Sequence, residues 1–175
     1  MALILTLALL VGSSSAHAFS DNVENFGLSK VGEGNFSWFG LSIYKATLWA
    51  DDNISRDRLF GSTLMLTLEY DRKISKQRIV TTTLGEWERV SNEQTETQAR
   101  WAASLLEILP SVNAGDRLSS LVIPGQETRF YLDGEEIGRI EDPEFGQAFL
   151  AIWLDENTRS SRLRKKLLSR IGVSA

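Results

Sequence analysis

The side chains here that could do chemistry are hydroxyls, carboxylates and guanidinium groups, because thiol and imidazole are nearly absent. There is no Cys, and the one His is His17. A product beginning after residue 18 therefore has no Ser-His or Cys-His nucleophilic pair, no thiolate or imidazole zinc site and no His- or Cys-ligated haem. What remains is acid–base work by a tyrosine or carboxylate, for which Tyr44 and Tyr131 are candidates. The other option is recognition of a carboxylate by arginine, for which Arg72 and Arg129 are candidates. For each arginine an exposed or structural salt bridge is the preferred reading, and Tyr131 lies on a strand whose facing the sequence leaves open. Asp51-Asp52-Asn53 lacks the EF-hand spacing and reads as a polar turn. Gly32-Glu33-Gly34 has no third glycine and reads as a turn, not a dinucleotide loop. No metal and no cofactor is expected.

Those residues need a scaffold, and 175 residues suit one domain with an adequate core. A net charge of −4 gives no reason to expect nucleic acid as a partner. Residues 1–18 stand apart. Met1 to Val11 is almost wholly apolar, Gly12 to Ser15 breaks the run, and Ala16-His17-Ala18 is an A-x-A cleavage pattern. This reads as a secretory signal peptide cleaved after Ala18, leaving a domain over residues 19–175 in the periplasm or otherwise exported. No Lys or Arg precedes the apolar run, which fits a start codon set too far downstream of a basic leader. The run is shorter than the ~20 residues a bilayer span takes, and no span is expected in the mature chain.

Asn35 to Ala50 is aromatic and β-branched and reads as one long strand, bent or bulged at Gly40. Alternation then puts Trp38, Gly40, Ser42 and Tyr44 on one face. Ser62 to Tyr70 reads as a second strand. Helical spacing follows in Ile79, Val80, Thr83, Leu84, Trp87 and Val90 after a Ser75 N-cap. A partner helix, capped by Asn92 with Glu93 in its first turn, carries Trp101, Ala102, Leu105, Leu106 and Leu109 and ends at Pro110. Arg117 to Ile123 reads as strand, and Thr128–Leu132, Asp133-Gly134 and Glu136–Ile140 as a hairpin. Asp142-Pro143 opens a helix bearing Phe145, Phe149, Ile152 and Trp153, with Asp142 as its cap. Ser160 caps a last helix whose Arg162, Arg164, Lys165, Lys166 and Arg170 read as a solvated face in preference to an anionic-partner patch. Strands, paired helices, strands, paired helices make an α+β fold with an antiparallel sheet covered by helices.

Gly32 through Tyr44 (Gly-Glu-Gly-Asn-Phe-Ser-Trp-Phe-Gly-Leu-Ser-Ile-Tyr) resembles the first long strand of the chalcone isomerase-like family. Ile140-Glu141-Asp142-Pro143-Glu144-Phe145, with Phe149 to Leu154, resembles its penultimate helix, and the pair is similar to the bacterial exported branch. The resemblance implies an open-faced β-sandwich, a large sheet backed by helices with a ligand cleft between. It also implies where catalytic residues of the plant isomerases would stand. The arginine falls at Leu28, the strand threonine at Gly40 and the late-helix threonine at Ile152. The tyrosine and asparagine fall near Gln77 and Leu84, where neither type occurs. Ring closure by phenoxide attack builds negative charge on an enolate oxygen, and Leu, Gly and Ile side chains donate nothing to it.

The expected cleft is lined by Trp38, Gly40, Ser42 and Tyr44, faced by Phe149, Ile152 and Trp153, although regularly spaced aromatics also serve as plain core. The leading expectation is a noncatalytic exported protein that binds a fatty acid or similar apolar molecule. An isomerase or lyase acting on an enone is the first alternative. A cell-envelope structural or interaction protein without a ligand is the second. Oligomeric state is not legible.

Overall fold

A computed structural model describes residues 23, 26–91 and 95–172. The expected signal peptide, and Asn92 and Glu93 of the second helix cap, lie outside them. Six antiparallel strands follow one another across a single sheet in chain order. They are β1 (Ser29–Trp38), β2 (Leu41–Ala50), β3 (Leu64–Tyr70), β4 (Arg117–Ile123), β5 (Glu127–Leu132) and β6 (Glu135–Ile140). Helices α1 (Lys76–Val90) and α2 (Thr95–Ile108) leave the sheet between β3 and β4, and α3 (Phe145–Leu154) and α4 (Ser161–Leu167) follow β6. The antiparallel sheet backed by helices is thus as the sequence predicts.

Period-two alternation builds the interface between the layers. Ala46 and Leu48 of β2, Leu64, Leu66 and Leu68 of β3, and Phe130 of β5 are buried in one core with the helices. Trp87 of α1, Trp101 of α2 and Phe145 of α3 meet edge to face, with centroids 5.5 to 6.1 Å apart. Their polar edges are satisfied: Trp87 Nε1 donates to the Ala148 carbonyl at 3.0 Å, and Trp101 Nε1 to Asp142 Oδ2 at 2.9 Å. On the opposite face, Val23 and Leu28 pack on Met65, Leu121 and Tyr131. Beside them Thr67 and Ser119 share a buried hydrogen bond of 3.0 Å.

Three local expectations are corrected. The long first strand is two strands, because Phe39 and Gly40 both take positive φ (48° and 78°) and reverse the chain between the paired Trp38 and Leu41. Gly32 and Gly34 lie inside β1, not in a turn, and let α4 rest on the strand. A Cβ at Gly32 would meet the carbonyl oxygens of Lys166 and Leu167, and one at Gly34 would meet Leu163 and Lys166. Helix α3 starts at Phe145 with Glu144 in the cap position. Asp142 supports it from two residues upstream, its Oδ1 accepting the Glu144 N–H at 3.0 Å. The caps at Ser75 and Ser160 form as expected, each hydroxyl accepting an N–H three residues on. Asp51-Asp52-Asn53 is the expected turn, closed by the Asn53 N–H on Asp51 Oδ1 at 2.8 Å.

Candidate functional site

Strand β2 turns Tyr44 toward the helices, and α3 brings Trp153 over it. Trp153 Nε1 donates to the Tyr44 hydroxyl at 3.0 Å. Tyr44 stacks on Phe36 of β1 (centroids 5.2 Å, 21°), and Tyr70 of β3 meets it edge-on at 5.9 Å. From Trp153 the rings continue inward through Phe149 (5.4 Å) to Phe130 and Phe145. A continuous aromatic row therefore runs between sheet and helices and ends on a phenol and an indole N–H.

Charge stands at that end. Glu86 projects from α1 and is nearly buried. Its Oε1 takes Arg159 Nε at 2.7 Å and its Oε2 faces Arg89 Nε at 3.6 Å, so the triad carries one net positive charge. Arg159 lies over the ring of Trp38, 5.0 Å from its centroid. Burial, the largest cause, raises the Tyr44 hydroxyl above the usual phenol range, with the Glu86 charge adding to it and the Trp153 bond opposing. Tyr70 is raised for the same first reason. Tyr44 is therefore a fixed neutral O–H: it accepts from Trp153 and keeps a proton to donate.

Of the seven residues expected to line a cleft, Tyr44, Phe149 and Trp153 come together. Ile152 is buried on α3 beside them, its carbonyl accepting from Thr158 Oγ1. Trp38 reaches the group only through Phe36 and Arg159, and is half exposed. Gly40 and Ser42 do not belong to it. Gly40 sits in the hairpin turn with open space where a side chain would be, and so widens no cleft. Ser42 is exposed and donates to Asp71. Neither proposed arginine reaches the site. Arg72 is exposed in the loop after β3. Arg129 lies on the opposite face of the sheet, where its Nε takes Glu127 at 2.6 Å and that bond draws the Glu127 carboxyl below its usual range. Tyr131 shares that opposite face.

Phe36, which alternation puts on the face of Tyr44, joins the site, and Tyr70, Glu86 and Arg159 belong to it and were not foreseen. Glu86 left a trace in the sequence: it stands three residues after Thr83 and four before Val90, a lone carboxylate on the apolar stripe of α1. A charge on such a stripe must be paired. Arg159 left none, since only tertiary packing brings it to Glu86.

The plant isomerase positions are accounted for in the same terms. Leu28 packs on the opposite face, Gly40 is in a turn and Ile152 is core. The fold is an antiparallel sheet backed by helices, and the ring row between the layers ends on the Tyr44 phenol, the Trp153 indole and the Glu86–Arg159 pair. The chain belongs to the chalcone isomerase-like family, whose profile matches residues 21–169. It is 24% identical over 140 residues to an uncharacterized protein of Haemophilus influenzae, covering 80% of this chain and 67% of that one. Its fold is similar to the crystal structure of an Arabidopsis thaliana fatty-acid binding protein. The TM-score is 0.64 at 12% identity, over 81% of this chain and 87% of the other.

Proposed function

We propose that this is a noncatalytic, exported binding protein that holds a fatty acid or similar apolar acid between its sheet and α3. The observation that carries this reading is the unspent Tyr44 O–H beside the net-positive Glu86–Arg89–Arg159 triad, at the end of an aromatic row. A carboxylate placed there accepts from Tyr44 and Arg159, both charge-assisted contacts. An acyl chain then runs along Phe36, Phe149 and Trp153, whose packed rings must move apart to admit it. The fold shared with a fatty-acid binding protein supports this reading. Burial that keeps Tyr44 protonated makes it a poor general base near neutral pH, which weighs against the enone isomerase alternative. The apolar leader and its Ala16-His17-Ala18 pattern support export to the periplasm.

The test is native mass spectrometry of protein purified from its own cell envelope, followed by titration of the delipidated protein with a long-chain fatty acid. We expect a co-purifying apolar acid and micromolar rebinding, weakened about tenfold by Arg159→Gln and by Tyr44→Phe. Delipidated protein that takes up no fatty acid at these concentrations overturns the reading. N-terminal sequencing of the same material is expected to begin at Phe19.

A further inference from the structure

The β1–β2 hairpin ends in exposed apolar side chains, of which Trp38 packs on Phe36 and under Arg159 while Phe39 and Leu41 point to solvent. Phe39 is 90% exposed, Leu41 55% and Trp38 42%. Phe39 holds a positive φ of 48°, a conformation that costs a bulky residue more than it costs Asn or Gly. The turn would form better without it, so its aromatic ring is present for something outside the fold.

A second feature begins at the same place. From Arg159, seated over Trp38, the chain runs through α4 along β1: Leu163 and Lys166 lie against Gly34, Lys166 and Leu167 against Gly32, and Arg170 Nη1 donates to the Lys30 carbonyl. Arg162, Lys165, Lys166 and Arg170 are exposed along this edge. No Asp or Glu follows Glu156 in the sequence, although the chain as a whole carries a net charge of −4. Positive charge is thus concentrated on α4 along the edge that ends in the apolar tip, and the carboxylate of that edge strand, Glu33, is itself paired with Lys30 and Lys45.

We propose that this edge docks the protein on an anionic lipid surface, with Trp38, Phe39 and Leu41 entering the headgroup–acyl boundary and the α4 cations lying over lipid phosphates. Three apolar side chains are too small a core for a stable protein interface of about 800 Å² per partner. An apolar tip beside spread cations is what a bilayer surface binds. No helix among the described residues is long and apolar enough to cross a membrane, so the contact is peripheral. The proposal does not depend on the fatty-acid reading, and delipidated protein serves for its test.

The measurement is flotation with phosphatidylcholine vesicles, with and without about one third phosphatidylglycerol. Binding is expected to the anionic vesicles and to be lost in about 0.5 M salt. It should weaken about tenfold in Phe39→Asn/Leu41→Thr and in Arg162→Glu/Lys165→Glu. Asn suits the positive φ, so the tip variant keeps its fold, and circular dichroism checks this. Wild-type protein that ignores anionic vesicles overturns the proposal, as does binding that the tip variant leaves unchanged or that salt does not reduce. A concentration-dependent dimer in ultracentrifugation, abolished by the tip variant, also overturns it and makes the tip a contact between two copies.

Discussion

Trp153 and Tyr44 are 109 residues apart in sequence and meet through one hydrogen bond, indole N–H to phenolic oxygen at 3.0 Å. The bond joins α3 to β2 and so holds the helix layer to the sheet at the outer end of the aromatic row. Its donor lies on a largely buried side chain, and its acceptor is kept neutral by burial. Loss of either partner should therefore be felt in both stability and binding.

Tyr44→Phe leaves the Trp153 N–H without its acceptor in a largely buried place, which should cost about 1–2 kcal/mol in urea unfolding. The same variant tests a pH effect. The phenol is raised in the folded state, so its contribution to stability is complete below the ordinary tyrosine value, near 10, and is lost as pH rises through the folded value. Wild-type stability should fall between about pH 9 and pH 12, and by less in Tyr44→Phe. Tyr70, raised for the same reason, supplies the loss that persists.

Asp142 makes the opposite prediction. Burial alone would raise its carboxyl, but the Trp101 indole, the Glu144 and Phe145 backbone N–H groups and nearby Arg100 together hold it below the usual aspartate range. Its contribution is present above the unfolded value, near 4, and lost as pH falls through the lower folded value. Asp142→Asn should cost about 1–2 kcal/mol at neutral pH, because a charged acceptor shared by α2 and the start of α3 becomes neutral. It should also flatten the acid side of a stability–pH profile measured from about pH 6 down to pH 2. An unchanged acid limb would mean that the carboxylate carries none of it.

The fold was legible where local chemistry and tertiary outcome agree. Asp133-Gly134 is a strong hairpin signal and the chain does turn there with both residues at positive φ. Ser75 and Ser160 cap the helices they precede. The β1–β2 turn was illegible because its first residue is Phe39, which the turn itself disfavours. With that turn misread as a strand bend, Gly40 and Ser42 moved onto a cleft wall they do not form. The site was half legible for a related reason. Alternation on β2 and helical period on α3 are local and pointed Tyr44, Phe149 and Trp153 inward. Pairing Arg159 with Glu86 depends on how the loop after α3 crosses α1, which no local pattern encodes.

Gly32→Ala tests the direct seating of α4 on β1. The added methyl would run into the carbonyl oxygens of Lys166 and Leu167, which are backbone atoms and cannot rotate away. The helix must lift or the strand must bend, and overpacking of this kind costs about 1–3 kcal/mol. Gly61→Ala meets nothing within 4 Å and makes a control at a site with no positive φ. Urea midpoints should fall for the first and hold for the second. Equal midpoints would show that α4 is free to shift away from the strand.

Thr128 supplies the one prediction of a gain. It is fully buried on β5, and its Oγ1 has no hydrogen-bond partner among the described residues. The reason lies across the interface: Gly146, in the first turn of α3, approaches so closely that a Cβ there would sit 2.8 Å from that oxygen. Close packing of α3 on β4 and β5 thus leaves little space beside the hydroxyl on that side. An unpaired buried hydroxyl costs roughly 1–3 kcal/mol, and valine has almost the same shape without that cost. Thr128→Val should therefore raise stability by about 1 kcal/mol, read as a higher urea midpoint with an unchanged slope. If stability falls instead, the hydroxyl has a partner that valine removes, and a water bound between β5 and α3 would be the group to seek.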